Sequence, residues 1–286
     1  MDVAVVDYEA TDAHAQFSRS LKETGFAVIV NHPISPALIE RVQNEWLDYF
    51  TSSHDKRAYL HSNEGDGYYP PDVSETAKGA RIKDLKEFFH IYPEWGQYPE
   101  EVGRSAFDLY EQATSVAKTL LGWVERNTPP EIAKLYSMPL SQMVQGSRRT
   151  LLRILRYPPL SGDEPVGAVR AAAHEDINLI TVLPAANEPG LQVKDSSGKW
   201  HDVPCDLGSL AVNAGDMLQY ASGGYFPSTT HQVVNPTGES AGRSRVSMPL
   251  FLHPQDDVVL ADGRTAASFL AERIAVLRGD RPAPTS

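Results

Sequence analysis

The sequence predicts a mainly β protein with flanking α-helices, a jelly roll wrapped by N-terminal helices. Three observations carry that expectation. Before about residue 150, apolar residues recur at helical spacing. After it they gather into short runs, each closed by turn residues. Those runs follow one another without helix-sized crossovers, which favours antiparallel pairing in a closed roll over a parallel sheet.

Taken in order, Thr11 or Asp12 can cap a first helix that carries Phe17 and Leu21 on one side and ends at Gly25. FAVIVNH (26–32) reads as a short buried strand. Ser35 before Pro36 is a strong helix start, because the serine oxygen accepts an orphan N–H and proline has none to leave unsatisfied. Ile39, Val42, Trp46 and Phe50 then keep helical spacing. Residues 61–82, rich in Gly, Pro, Asp and Tyr, read as a long loop and a candidate lid, and KEFFHIY reads as a strand. From Pro99 to about Asn127 the stripe Phe107, Tyr110, Ala117, Leu121, Val124 predicts a helix stopped by Pro129-Pro130. LLRILRY, NLITVL, GLQV, KWHDV, SLAVN, DMLQY, HQVVN and RVSMPLFL are the expected strands. A helix from about Thr265 to Arg278, a candidate pocket wall, and a frayed RPAPTS tail close the chain. The expected organisation is one integrated unit, residues 1–148 packed on a core of residues 149–286.

Composition narrows the class of partner. Of the 286 residues, 41% are hydrophobic and 22% charged, as in ordinary globular proteins. Asp plus Glu (37) exceed Lys plus Arg (26), and the formal charge of −11 disfavours nucleic acid or an anionic membrane. Cys205 is the single cysteine, so no intramolecular disulfide is possible. The N-terminus has no basic leader or apolar h-region, and no run approaches the ~20 apolar residues of a membrane span. A cytoplasmic enzyme with a small-molecule substrate and no obligatory protein partner is expected.

Three features carry chemistry. In AAHEDINLITVL, alternation along a strand turns His174 and Asp176 to one side and Glu175 to the other. His231 opens the apolar run HQVVN, separated from Asp176 by several short strands that a roll can fold back on themselves. Two imidazoles and a carboxylate leave coordination positions open for a cosubstrate and dioxygen, the facial arrangement of non-haem iron(II) oxygenases. Zinc or manganese suits the same atoms. Finally, Arg245 and Ser247 share a strand face in the apolar run that follows HQVVN. A guanidinium fork beside a hydroxyl grips a carboxylate, with charge-assisted bonds of about 1.5–3 kcal/mol each.

The succession His174-Glu175-Asp176, then His231, then Arg245-Val246-Ser247 resembles, in order and spacing, the isopenicillin N synthase-like branch of the iron(II)/2-oxoglutarate-dependent dioxygenases. GFAVIVNHPI, LRILRYPP, GLQV and VNAGDMLQYASGGYFPSTTHQV resemble that family's segments in the same order. The resemblance implies a distorted double-stranded β-helix with iron(II) on His174, Asp176 and His231. It further implies 2-oxoglutarate held at its distal carboxylate by Arg245 and Ser247, with a hydrogen bond from Tyr157. Dioxygen would be the oxidant, and ascorbate is an accessory reductant in such systems. An unactivated C–H would be hydroxylated, desaturated or cyclised while 2-oxoglutarate becomes succinate and carbon dioxide, as in natural-product biosynthesis. Leu155 stands where the family motif has Asn, which removes one polar contact near the cosubstrate. Two alternatives therefore stay open: an iron oxidase using no 2-oxoglutarate, with Arg245 on the substrate, and a non-catalytic jelly-roll binding protein.

The remaining residues read blandly. His14, His32, His54, His61, His90, His201 and His253 have no partners at ligand spacing, and Phe88, Phe89, Tyr92 and Trp95 read as core. Cys205 has no base at nucleophile spacing.

Overall fold

The computed structural model describes residues 1–73 and 83–277. The first helix, α1 (Ala13–Thr24), follows Asp12 and ends where Gly25 turns left-handed at φ 73°, its N–H closing on the Leu21 carbonyl. Strand β2 (Phe26–Val30) follows at once and pairs in parallel with β1 (Val5–Asp7). Helix α2 (Pro36–Thr51) starts as its chemistry predicts, the Ser35 hydroxyl accepting from Leu38 N at 3.3 Å.

Short β3 (Gly67–Tyr69) interrupts the expected 61–82 loop by pairing with β4 (Glu87–Ile91), and residues 74–82 lie outside the described residues. So short a strand, bounded by glycines and prolines, cannot show the alternation that marks one, so it was hidden. Helix α3 (Ser105–Asn127) begins later than Pro99 and buries Leu109, Val116, Leu120, Leu121 and Val124. Two single-turn helices, α4 (Pro130–Ala133) and α5 (Leu140–Met143), lead into β5 (Leu151–Tyr157).

The β-rich half contains β6 (Ala171–His174), β7 (Ile180–Pro184), β8 (Leu191–Lys194), β9 (Trp200–Asp202) and β10 (Leu210–Ala214). β11 (His231–Val233), β12 (Arg245–Ser247) and β13 (Leu250–Leu252) complete it. RVSMPLFL is thus two strands, broken before Leu250 by Met248-Pro249, proline having no N–H for a ladder. DMLQY is not a strand but helix α6 (Asp216–Ala221). So short a run of mixed polarity fits either period, and the decision is made elsewhere. Asp216 and Met217 N–H groups donate to the Asp176 and Ile177 carbonyls at 2.7 and 3.1 Å, which satisfies a helix start. The last helix, α7 (Ala266–Leu277), packs on α6 through Phe269 and Tyr220, 5.5 Å between ring centres, and through Arg273 on Asp216 at 2.6 Å.

Two sheets result. The larger runs β1-β2-β10-β7-β13-β5-β4-β3 with β12 also on β5, and the smaller runs β6-β11-β8-β9. The larger sheet is buried on both faces. Leu210, Val212, Leu152 and Ile154 join Phe17, Val42, Trp46 and Leu120 in the core under the helices. On the opposite face Phe26, Val28 and Ala211 meet Val193 of the small sheet, and Phe88, Leu155 and Tyr157 meet its Ala171 and Val233. These inter-sheet contacts make the interior of the mainly β jelly roll. Phe88 and Phe89 therefore part company: Phe89 packs on Trp46 at 5.2 Å, whereas Phe88 looks into the roll. Among the described residues no helix is long and apolar enough to cross a membrane.

Candidate metal centre and its anion pocket

His231 and His174 are cross-strand partners of β11 and β6, their ring centres 4.4 Å apart. Asp176 does not continue that strand, as alternation would have it, because β6 ends at His174. Its carbonyl instead accepts from Asp216 N, so α6 holds the turn that brings the carboxylate back. Oδ1 stands 3.9 Å from His174 Nε2 and 3.8 Å from His231 Nε2, and one ligand atom from each residue lies within 4.8 Å of the others. An ion about 2.1 Å from each ligand atom spans pairs up to about 4.2 Å apart. Both Asp176–histidine distances satisfy this, and the three residues form a group that could hold one ion. Glu175 faces away and accepts from the Thr230 hydroxyl.

Hydrogen bonds behind the donors orient them. His174 Nδ1 pairs with the Ala172 carbonyl at 2.8 Å and His231 Nδ1 with the Thr229 carbonyl at 3.1 Å. A carbonyl only accepts, so each Nδ1 carries the proton and each Nε2 offers its lone pair toward Asp176. Asp176 Oδ2 receives Thr181 Oγ1 at 2.6 Å and Asn213 Nδ2 at 2.8 Å, which leaves Oδ1 as the outward atom. The Phe26 ring closes on His231 edge to face at 5.4 Å. Gly25 beside it has no room for a side chain, since a Cβ there would lie 2.6 Å from the Pro227 carbonyl.

Charge states follow from burial. Desolvation, then the neighbouring His231, pulls His174 down to about 4, so its imidazole is neutral at pH 7. Burial alone would push Asp176 up, but His231, His174, Asn213 and Thr181 outweigh it and lower it overall. His253, buried nearby with Nδ1 on the Phe251 carbonyl at 3.2 Å, is likewise lowered to about 4 by desolvation. It is satisfied and neutral, as its isolation in the sequence suggested.

On β12, Arg245 and Ser247 share the interior face and stand opposite Tyr157 and Leu155 of β5. Arg245 is 2% exposed; Nε donates to the Glu188 carbonyl at 2.9 Å, and its guanidinium lies 5.3 Å from the centre of the Tyr157 ring. Nη1 is buried with no hydrogen-bond partner among the described residues. A buried cation with an open N–H needs an anion. Tyr157 meets Arg245 through its ring, and Leu155 brings apolar surface where a polar group was missed.

Sequence reasoning did not single out Thr181, Asn213 or Arg170. The first two belong to apolar strand runs, and only the fold turns them onto Asp176. Arg170, wholly buried at 0% exposure, precedes β6 with no motif around it.

Comparison with known proteins gives the family. Residues 148–254 match the family model of the 2OG-Fe(II) oxygenase superfamily, and residues 2–109 match the N-terminal model described as non-haem dioxygenase in morphine synthesis. A Shewanella oneidensis protein whose crystal structure carries an oxygenase designation is 52% identical, with a TM-score of 0.86 over 97% of this chain and 99% of that one. Proline hydroxylase buaE of Petromyces alliaceus is 30% identical over 88% of this chain and 83% of its own. Gibberellin 2-beta-dioxygenase 2 of Arabidopsis thaliana is 28% identical over 88% of this chain and 74% of its own. The chain belongs to the 2OG-Fe(II) oxygenase superfamily and is an oxidoreductase that works with iron(II) and 2-oxoglutarate.

Proposed function

We propose that His174, Asp176 and His231 hold iron(II), that Arg245 and Ser247 receive the distal carboxylate of 2-oxoglutarate, and that an unactivated C–H of a small molecule is oxidised between them. One observation carries this reading: three oriented donors meet within 4.8 Å in the same roll where a buried guanidinium keeps an open N–H. When bound, iron(II) and 2-oxoglutarate together supply the reduction of dioxygen, with oxidative decarboxylation to succinate and carbon dioxide. The protein's residues do the rest. Neutral His174 and ionised Asp176 present lone pairs without first losing a proton at pH 7. Arg245 orients the cosubstrate from its far end, and Tyr157 lines that end. Phe26, Phe88 and Val233 keep the roll dry, which protects an oxidising site from side reactions.

The substrate class is a small organic molecule. The relatives named above are called after proline and gibberellin, both small molecules. Tyr69, Phe88 and the Arg153 guanidinium, 4.5 Å from the Phe88 ring centre, form an aromatic and cationic wall for such a compound. Residues 149–286 would be the catalytic core with α7 behind α6, residues 1–148 its support, and the cytoplasm its compartment.

The test is oxygen-dependent release of succinate from 2-oxoglutarate by protein reconstituted anaerobically with iron(II). Arg245→Met should raise the 2-oxoglutarate requirement tenfold or more, about 1.4 kcal/mol per factor of ten, with bound iron unchanged. Asp176→Ala should lose the iron. Activity that consumes oxygen without forming succinate would assign Arg245 to the substrate instead.

A further inference from the structure

Arg170 is the most deeply buried charge in the described structure, and no feature of the proposed mechanism uses it. Its backbone N–H donates to Asn235 Oδ1 at 2.9 Å, and Asn235 Nδ2 donates to the Ala168 carbonyl at 2.8 Å, so the residue is pinned where β6 begins. Of its guanidinium, Nη2 donates to the Arg243 carbonyl at 2.9 Å, while Nε and Nη1 are buried with no partner among the described residues. Arg245 is close enough for its charge to act on Arg170, and Tyr157 and Glu188 act on both.

Two buried guanidinium groups of like charge, three of their N–H-bearing nitrogens unpartnered, form an arrangement that repels itself in the absence of an anion. Glu188 is the acidic group within reach, and its Oε1 is already engaged by Arg243 Nη1 at 3.3 Å. Next to Arg170, Ala171 belongs to the inter-sheet cluster that includes Tyr157 and Leu155. The open nitrogens thus belong to the end of the roll where Leu155 supplies no polar contact.

We propose that Arg170 is a second cation of the 2-oxoglutarate subsite, sharing the distal carboxylate with Arg245. The inference rests on the 2-oxoglutarate reading above. A carboxylate has two oxygens and about four lone-pair directions, enough to satisfy nitrogens from two guanidinium groups at once. Its consequence is selectivity: a 2-oxo acid without the second carboxylate leaves two buried cations uncompensated instead of one.

The experiment is calorimetric titration of 2-oxoglutarate and of 2-oxopentanoate, which lacks the distal carboxylate, into the anaerobic iron(II) protein and its variants. Arg170→Met should weaken 2-oxoglutarate tenfold or more and leave 2-oxopentanoate within about twofold. Bound iron should be unchanged, and the ligand-free melting temperature should not fall, because an uncompensated buried charge has been removed. A merely structural arginine gives the opposite: lower melting temperature and equal loss of both acids. Should Arg170→Met fail to fold, Arg170→Lys keeps the charge but not the fork, and a loss confined to 2-oxoglutarate is expected. Undiminished 2-oxoglutarate affinity in the folded variant, or parallel loss of both acids, overturns the inference. If Arg245→Met loses 2-oxoglutarate and Arg170→Met does not, only this inference falls. If the unmodified protein binds no 2-oxoglutarate, the underlying reading falls with it.

Discussion

Thr181→Val tests whether the hydrogen bonds behind Asp176 build the metal site. The substitution keeps the branched shape of a buried strand residue and deletes the hydroxyl that donates to Asp176 Oδ2 at 2.6 Å. That hydroxyl also accepts from Asn178 Nδ2 at 3.2 Å, but the amide keeps the Ile180 carbonyl at 2.6 Å, so no donor is orphaned. A hydrogen bond to a charged group is worth about 1.5–3 kcal/mol. Asp176 is ionised with or without metal, so only part of this reaches metal affinity, and Asn213 still holds the same oxygen at 2.8 Å. Residues in such supporting positions change metal affinity by about 10–100-fold, and the shared load places Thr181→Val near the lower figure. Competition against a chelator at pH 7, under anaerobic conditions, should show iron(II) bound about tenfold more weakly, with the metal-free melting temperature as control. Affinity within about twofold of the unmodified protein would refute the claim that Oδ2 must be held for Oδ1 to serve.

Two further outcomes are expected. His174 and His253 are both held near 4 in the fold against 6.5 unfolded, so below pH 6.5 the unfolded chain binds more protons and the metal-free protein loses stability down to about pH 4. Melting temperature followed from pH 7 to 4 should fall through that window, and a flat profile from 6.5 to 5 contradicts the assignment. Trp46→Ala removes a wholly buried ring packed on Tyr49, Phe50, Phe89 and Tyr98, and denaturant unfolding should register a loss of about 3–5 kcal/mol.

The metal-ligand candidates were legible because each sits in a local pattern with a physical reading. The helix start at Ser35-Pro36 and the stop at Gly25 were legible for the same reason, since capping is decided within a few residues. What escaped was decided by distant partners. DMLQY becomes a helix because its first N–H groups find the carbonyls of Asp176 and Ile177, far back in the chain. His174 and Asp176 converge for a reason other than strand alternation, which no local period could reveal. Arg170 looks like any surface arginine until the fold encloses it. The thiol of Cys205 is half-buried and pushed up by desolvation, which favours its protonated form.

The seam at Gly25 has a consequence for how the chain matures. Thr229 Oγ1 donates to the Thr24 carbonyl at 2.9 Å across 205 positions of sequence, and Phe26 abuts His231. A contact of such separation is made only at the entropic cost of closing a long loop. A nascent chain emerging from the ribosome would carry its first helices long before the imidazole they brace exists. The set of donors is therefore incomplete until both halves of the chain have been made and docked, and a half-made polypeptide offers no complete seat for a redox-active ion.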